Sequence, residues 1–163
     1  MSPSSFARRI GLAVALAAAL AAGACSKAPD NQFNAYAGGA EPGSAADFAQ
    51  NIGDRVFFDE DSSDLNPKAQ ETLNRQVAWL QRYDRGPFTI EGHADERGTR
   101  EYNFALGQRR AAATKEYMVA RGIPSGRIRT ISYGKERPVA TCNDISCWSQ
   151  NRRAVTAIAP GQS

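Results

Sequence analysis

Histidine is nearly missing from this chain: 163 residues carry one, His93. Cysteine is almost as scarce, with Cys25, Cys142 and Cys147 only. A multi-histidine metal centre is therefore excluded, and a four-cysteine zinc site is arithmetically impossible. An excess of one charge is lacking too. Twenty basic and 17 acidic side chains leave a formal net charge of +3, too balanced to argue for a nucleic-acid binder. No acid precedes Asp30. The apolar run Ile10 to Ala22 is shorter than the roughly 20 residues a membrane-spanning helix needs. What remains is an ordinary globular profile, 42% hydrophobic and 23% charged, long enough for one domain with extras at its ends. Such a length argues against a multidomain enzyme.

The first extra is N-terminal. Arg8 and Arg9, the short apolar run and small residues up to Ala24 describe a secretory signal peptide over 1–24. The alternative is a membrane anchor helix. Ala22-Gly23-Ala24-Cys25 resembles a bacterial lipobox, in which the cysteine sulfur receives a diacylglycerol and the freed amine an acyl chain such as palmitate. Plain cleavage with a leftover thiol is the rival reading. An odd cysteine in an exported chain needs an explanation, and lipidation supplies one. Several acyl chains also hold a protein on a membrane where one would not. Loss of 1–24 would remove two arginines and no acid, leaving 18 basic and 17 acidic side chains, so charge says little about partners. Residues 26–50 are rich in Gly, Ala, Ser, Pro and Asp without any period. With Cys25 and Asn51 they read as a lipidated, flexible tether over 25–51.

From residue 52 to 163 the patterns are those of a compact domain. Arg55 to Phe58 reads as a strand. Asn66-Pro67 looks like an N-cap followed by proline at the first helical position, and Ala69, Leu73, Val77 and Leu80 predict a helix over 67–82. Phe88 to His93 reads as a second strand. Thr99 opens a helix running to about Arg121, with Gly122 and Pro124 as its stop. Ile128, Ile131 and Tyr133 mark a third strand, and Ala154 to Ile158 a fourth. The order β-α-β-α-β, loop, β predicts an α/β sandwich, with two main helices on one face of a mixed four-stranded sheet.

Charged residues in awkward places point to a site. Leu106, Arg110, Ala113, Tyr117 and Ala120 form one stripe of the second helix, and Arg110 is its only charge. An inward arginine must find an acceptor, because an unpaired buried charge is costly. Otherwise it snorkels to the rim. Asp95, at the mouth of that helix, is the expected acceptor. A fixed carboxylate beside a fixed guanidinium suits a zwitterion, the Asp taking an ammonium and the Arg a carboxylate in bidentate fashion. A structural salt bridge without ligand fits the same residues.

His93, Asp95 and Glu96 in one loop also invite a hydrolase reading, but there is no nucleophile–base arrangement and no glycine-rich phosphate loop. For His93 a structural role at a strand end is the simpler expectation. Asp59, Glu60, Asp61 and Asp64 lack the spacing of a calcium loop and read as a solvated, helix-capping turn. Neither a metal nor a cofactor is expected. Cys142 and Cys147 bracket four residues, and in an exported protein such a pair usually forms a disulfide.

The stretch GHADERGTREYNFALGQRRA at 92–111 closely resembles the OmpA-like peptidoglycan-binding family. VFFDEDSSDL at 56–65, SYGKERP at 132–138 and SQNRRA at 149–154 match it in the same order, over roughly 52–159. With the lipobox and tether, the chain is similar to the lipid-anchored branch that serves the Tol–Pal system. The resemblance implies binding of the peptide stem of peptidoglycan through its meso-diaminopimelate, itself a zwitterion. It implies Asp95 for the ammonium and Arg110 for the carboxylate, with Asn103, Leu106, Asp61 and Arg152 around them. It also implies the partners TolB and TolA, a role in outer-membrane constriction at division, and no enzymatic activity. Ser26 after the lipidated cysteine favours the outer membrane over retention at the inner one.

Overall fold

The computed structural model describes residues 40–84 and 86–158; the signal-like segment, Cys25 and the tether-like residues up to 39 lie outside them. A short helix α1, Ala45–Asp47, continues as a π-helical stretch, Phe48–Gly53. Then follow β1 (Arg55–Phe57), α2 (Pro67–Arg82), β2 (Phe88–His93), α3 (Arg100–Ala120), β3 (Ile128–Gly134), α4 (Ile145–Asn151) and β4 (Arg153–Ile158). The strands form one mixed sheet in the order β1-β4-β2-β3, with β2 and β3 parallel and β4 antiparallel to both its neighbours.

Local chemistry accounts for the two long helices. Asn66 accepts from the Ala69 N–H at 2.9 Å with Pro67 at the first position, which starts α2. Thr99 caps α3 through the Tyr102 N–H. Gly122, at φ +95°, takes the left-handed conformation just past α3. One core holds Leu73, Val77 and Leu80 of α2, Ala111 and Met118 of α3, and Val56, Phe88, Ile90, Ile128 and Ala154 of the sheet. Gln76 is buried among them because both ends of its amide are used, the nitrogen donating to Gly53 O at 2.6 Å and the oxygen accepting from Thr156 Oγ1 at 2.8 Å.

Three features depart from expectation. The last part of the span read as tether is helical and packed. Phe48 is buried against Trp79, with ring centroids 4.8 Å apart, and Asp47 accepts from Trp79 Nε1 at 2.7 Å. Two long-range contacts override a composition that looks like linker. Second, the loop before the last strand contains α4. Its seven residues are too few for an apolar period to show; Asp144 caps it, and Cys142 and Cys147 are joined by a disulfide, Cα atoms 5.6 Å apart. Third, the buried residues of α3 are Asn103, Leu106, Gly107, Arg110, Ala111, Thr114 and Met118; of the expected stripe, Tyr117 is partly buried against the core, and Ala113 and Ala120 are not part of it. Polar and small residues line the inner face of α3, so an apolar count follows the wrong side in its second half.

The sheet order sets up the site. β1 and β2 both end, and β4 begins, at one edge of the sheet: Phe57 pairs with Arg153 and Gly92 with Ala154. Loops 58–66 and 94–99 and the start of β4 therefore meet there. Gly92 and Gly107 bring α3 against β2; a Cβ on Gly92 would lie 1.8 Å from Gly107 O. That approach carries Asn103, Leu106 and Arg110 down onto the strand ends.

Candidate functional site

A cavity of about 250 Å³ at this edge is lined by residues of all three predicted segments: Asp61 and Glu60 from the first loop, Asp95, Arg97 and Gly98 from the second, and Tyr102, Asn103, Leu106 and Arg110 from α3. Five of the six residues expected to bind are among them. The sixth, Arg152, stands behind Asp95. Its Nη1 lies 3.4 Å from Asp95 Oδ2, and its Nε donates to Phe58 O while its backbone O accepts from Phe58 N–H.

Arg110 is the floor. It is 0% exposed, so it does not snorkel. Nor is Asp95 its acceptor, as expected from the sequence. Nε donates to Ser62 O at 2.8 Å, Nη1 to His93 O at 2.8 Å and Nη2 to Asp59 O at 3.1 Å. Backbone carbonyls at the ends of two loops neutralise it piecemeal, which no spacing rule reveals. Burial and the nearby Arg152 push its pKa down to about 10, so it stays cationic at neutral pH. Three of its five N–H groups are used and two are left over.

Asp95 is 7% exposed and carries the opposite charge. Burial pushes its pKa up, but the Arg97 side chain and N–H, with help from Arg152, outweigh that and hold it below the usual carboxylate range. Arg97 donates to both its oxygens, Nη2 at 2.7 Å and Nε at 3.2 Å. The same guanidinium reaches Glu60 at 2.5 Å and lies over the Trp148 ring, 4.2 Å from its centroid. Asn103 fixes the backbone beneath, donating to Arg97 O at 2.6 Å and Thr99 O at 3.1 Å. Asp61 has φ +53°, a left-handed conformation uncommon outside glycine, and accepts from the Tyr102 hydroxyl.

Arg97, Gly98, Tyr102 and Trp148 were not singled out from sequence. Arg97 had a local signal: its N–H closes a turn onto Asp95 two residues earlier, at 3.1 Å. Tyr102 sits one turn before Leu106 on the same helix. Trp148 had none, because its position depends on α4. His93 is 2% exposed, on the sheet face away from the helices beside Tyr133. Burial, with Arg153 and Arg137 adding to it, pushes its pKa down to about 4, so it is neutral.

The arrangement is a buried cation and a buried anion in one small cavity, lined by the motif segments 56–65 and 92–111 with Arg152 of 149–154 behind them. The OmpA family model matches residues 57–152. The chain belongs to the OmpA family. Within it, the chain is 66% identical over 122 residues to the "Peptidoglycan-associated lipoprotein" of Rhizobium meliloti (strain 1021), covering 75% of this chain and 69% of that protein. It is 57% identical over 155 residues to the protein of the same name from Brucella melitensis, covering 92% of both chains. The crystal structure of the peptidoglycan-associated lipoprotein from Burkholderia pseudomallei superposes with a TM-score of 0.60 at 39% identity, over 63% of this chain and 87% of that one. The mixed four-stranded α/β architecture is thus that of the OmpA family.

Proposed function

We propose that this chain is an outer-membrane lipoprotein, anchored through Cys25, that holds peptidoglycan non-covalently. The observation that carries the reading is the pairing of Asp95 and Arg110 in one 250 Å³ cavity without a bond between them. Two opposite charges, each held by its own partners and not by the other, suit a ligand that carries both. The terminal amine and carboxylate of meso-diaminopimelate are such a ligand. Asp95 takes the ammonium, the two spare N–H groups of Arg110 take the carboxylate, and Leu106 covers the methylene chain. Curated relatives named for peptidoglycan association support the ligand class.

The protein is a binding module in this reading, not an enzyme. Its single imidazole is neutral, buried and on the far face of the sheet. TolB and TolA are its protein partners, and its task is to tie the outer membrane to the wall during constriction at division.

Calorimetric titration of the full-length protein with a meso-diaminopimelate stem peptide tests this. A lysine-containing or amidated stem is the control. Binding to the first and not to the control is the expected result. Equal binding to both would remove the zwitterion reading, and binding to neither would shift the assignment to a protein-interaction module for the Tol partners. Capture of TolB by the full-length protein tests the Tol assignment separately.

A further inference from the structure

Every donor position in front of Asp95 is taken by the protein itself. Arg97 covers both carboxylate oxygens on the cavity side, and Arg152 stands on the buried side at 3.4 Å. A ligand ammonium therefore cannot reach Asp95 by adding to these bonds. It must replace one of them. Arg152 is 7% exposed and bonded to Phe58 O, so it is fixed. The Arg97 side chain is one-third exposed and can turn. A second observation agrees. The Arg110 guanidinium has two spare N–H groups yet no exposed surface. A neighbouring side chain must shift before a carboxylate reaches it, and the Arg97–Glu60 ion pair, which joins the two loops, lines the same cavity.

We propose that Arg97 is an internal competitor for the ligand's ammonium: it holds the cation position before Asp95, closes the cavity with Glu60, and is displaced when the ligand binds. This rests on the zwitterion reading of the cavity. The exchange is close to balanced, because one cation replaces another and Arg152 keeps Asp95 partly compensated throughout. The displaced guanidinium has a place to rest, since it already lies on the Trp148 face, whose indole N–H is tied to Glu96. The backbone stays in place, held by the Asn103 side chain and by the Arg97 N–H bond to Asp95. The device sets selectivity: a ligand must bring both charges to repay the displacement, so a lone amine or a lone carboxylate gains little.

Arg97→Gln and Glu60→Gln, titrated as full-length proteins with the meso-diaminopimelate stem peptide, test the competitor. Removing a competitor raises affinity, whereas removing a ligand contact lowers it. Arg97→Gln is expected to bind about three- to tenfold tighter than wild type, and Glu60→Gln about twofold tighter, matching the strength of partly exposed ion pairs. n-Butylamine, which offers an ammonium with no carboxylate, should gain measurable binding to Arg97→Gln. Unchanged or weaker stem binding by Arg97→Gln, with its melting temperature unchanged, would overturn the proposal. Failure of wild type to bind while Arg97→Gln binds would still support the competitor, and failure of both would overturn it along with the zwitterion reading.

Discussion

The two long helices lie on the same face of the same sheet, yet they are built on opposite terms. α2 faces the sheet with Ala69, Leu73, Val77 and Leu80, and its buried polar exception, Gln76, is bonded at both ends of its amide. α3 faces it with Asn103, Gly107, Arg110 and Thr114 among its seven buried residues. The first helix stabilises by removing apolar surface from water. The second spends its inner face on close approach and on polar groups satisfied one by one: Thr114 Oγ1 donates to Arg110 O, Asn103 to two carbonyls, and Arg110 to three. α2 supplies most of the helical share of the core, to which α3 adds Ala111 and Met118.

The sharpest way to break this contrast is at the glycine contact. Gly92→Ala should cost about 3 kcal/mol or more in urea unfolding, because its Cβ would lie 1.8 Å from a carbonyl that cannot rotate away. Gly126→Ala, whose Cβ would meet nothing within 4 Å, should stay within about 0.5 kcal/mol of wild type. Next in size are a matched pair. Leu73→Ala on α2 should cost about 3 kcal/mol through its cavity, and the remaining folded protein should bind the stem peptide normally. Arg110→Leu on α3 should cost a similar ~2–3 kcal/mol, because three carbonyls lose their donor. Its folded fraction should not bind, so calorimetry separates two variants that denaturation does not. A smaller loss, about 1 kcal/mol, is expected for Asn66→Ala, which removes only the cap of α2.

The last effect depends on pH. His93 has a folded pKa of about 4 against an ordinary 6.5, so between those values the unfolded chain binds the extra proton. Stability should therefore be complete above pH 6.5 and fall as pH drops toward 4. His93→Phe should flatten that part of the urea-midpoint profile. A wild-type profile already flat between pH 4 and 6.5 would mean that the imidazole is solvated.

Much of this was legible in the chain. The bounds of α2 and β2 match expectation to the residue, since an N-cap with proline, a clean apolar stripe and a Gly-Pro break each act locally. The motif segments, which resemble a known family, marked five residues that line the cavity. Other features were hidden for physical reasons. The helical stretch at 45–53 depends on Trp79, 32 residues beyond Asp47, and local composition there says only linker. The inner stripe of α3 is polar, so hydrophobic periodicity does not track it. Arg97 gave no sign of its role, because its importance lies in Asp95, Glu60 and Trp148 meeting around it.

By itself, then, the sequence determined the order of the four strands and two long helices, the α/β class and the one charge on a helix stripe that asked for an acceptor. Those properties follow from neighbours within a few turns of chain, where capping, side-chain periodicity and turn chemistry operate. Only the tertiary structure decided which partner each charge has. Inserting β4 between β1 and β2 brings Arg152 behind Asp95, and the Gly92–Gly107 contact lowers Arg110 onto the carbonyls of residues 59, 62 and 93. A buried charge takes whatever donors or acceptors the fold brings within about 3 Å, and that neighbourhood is a property of strand order and helix approach, not of sequence spacing.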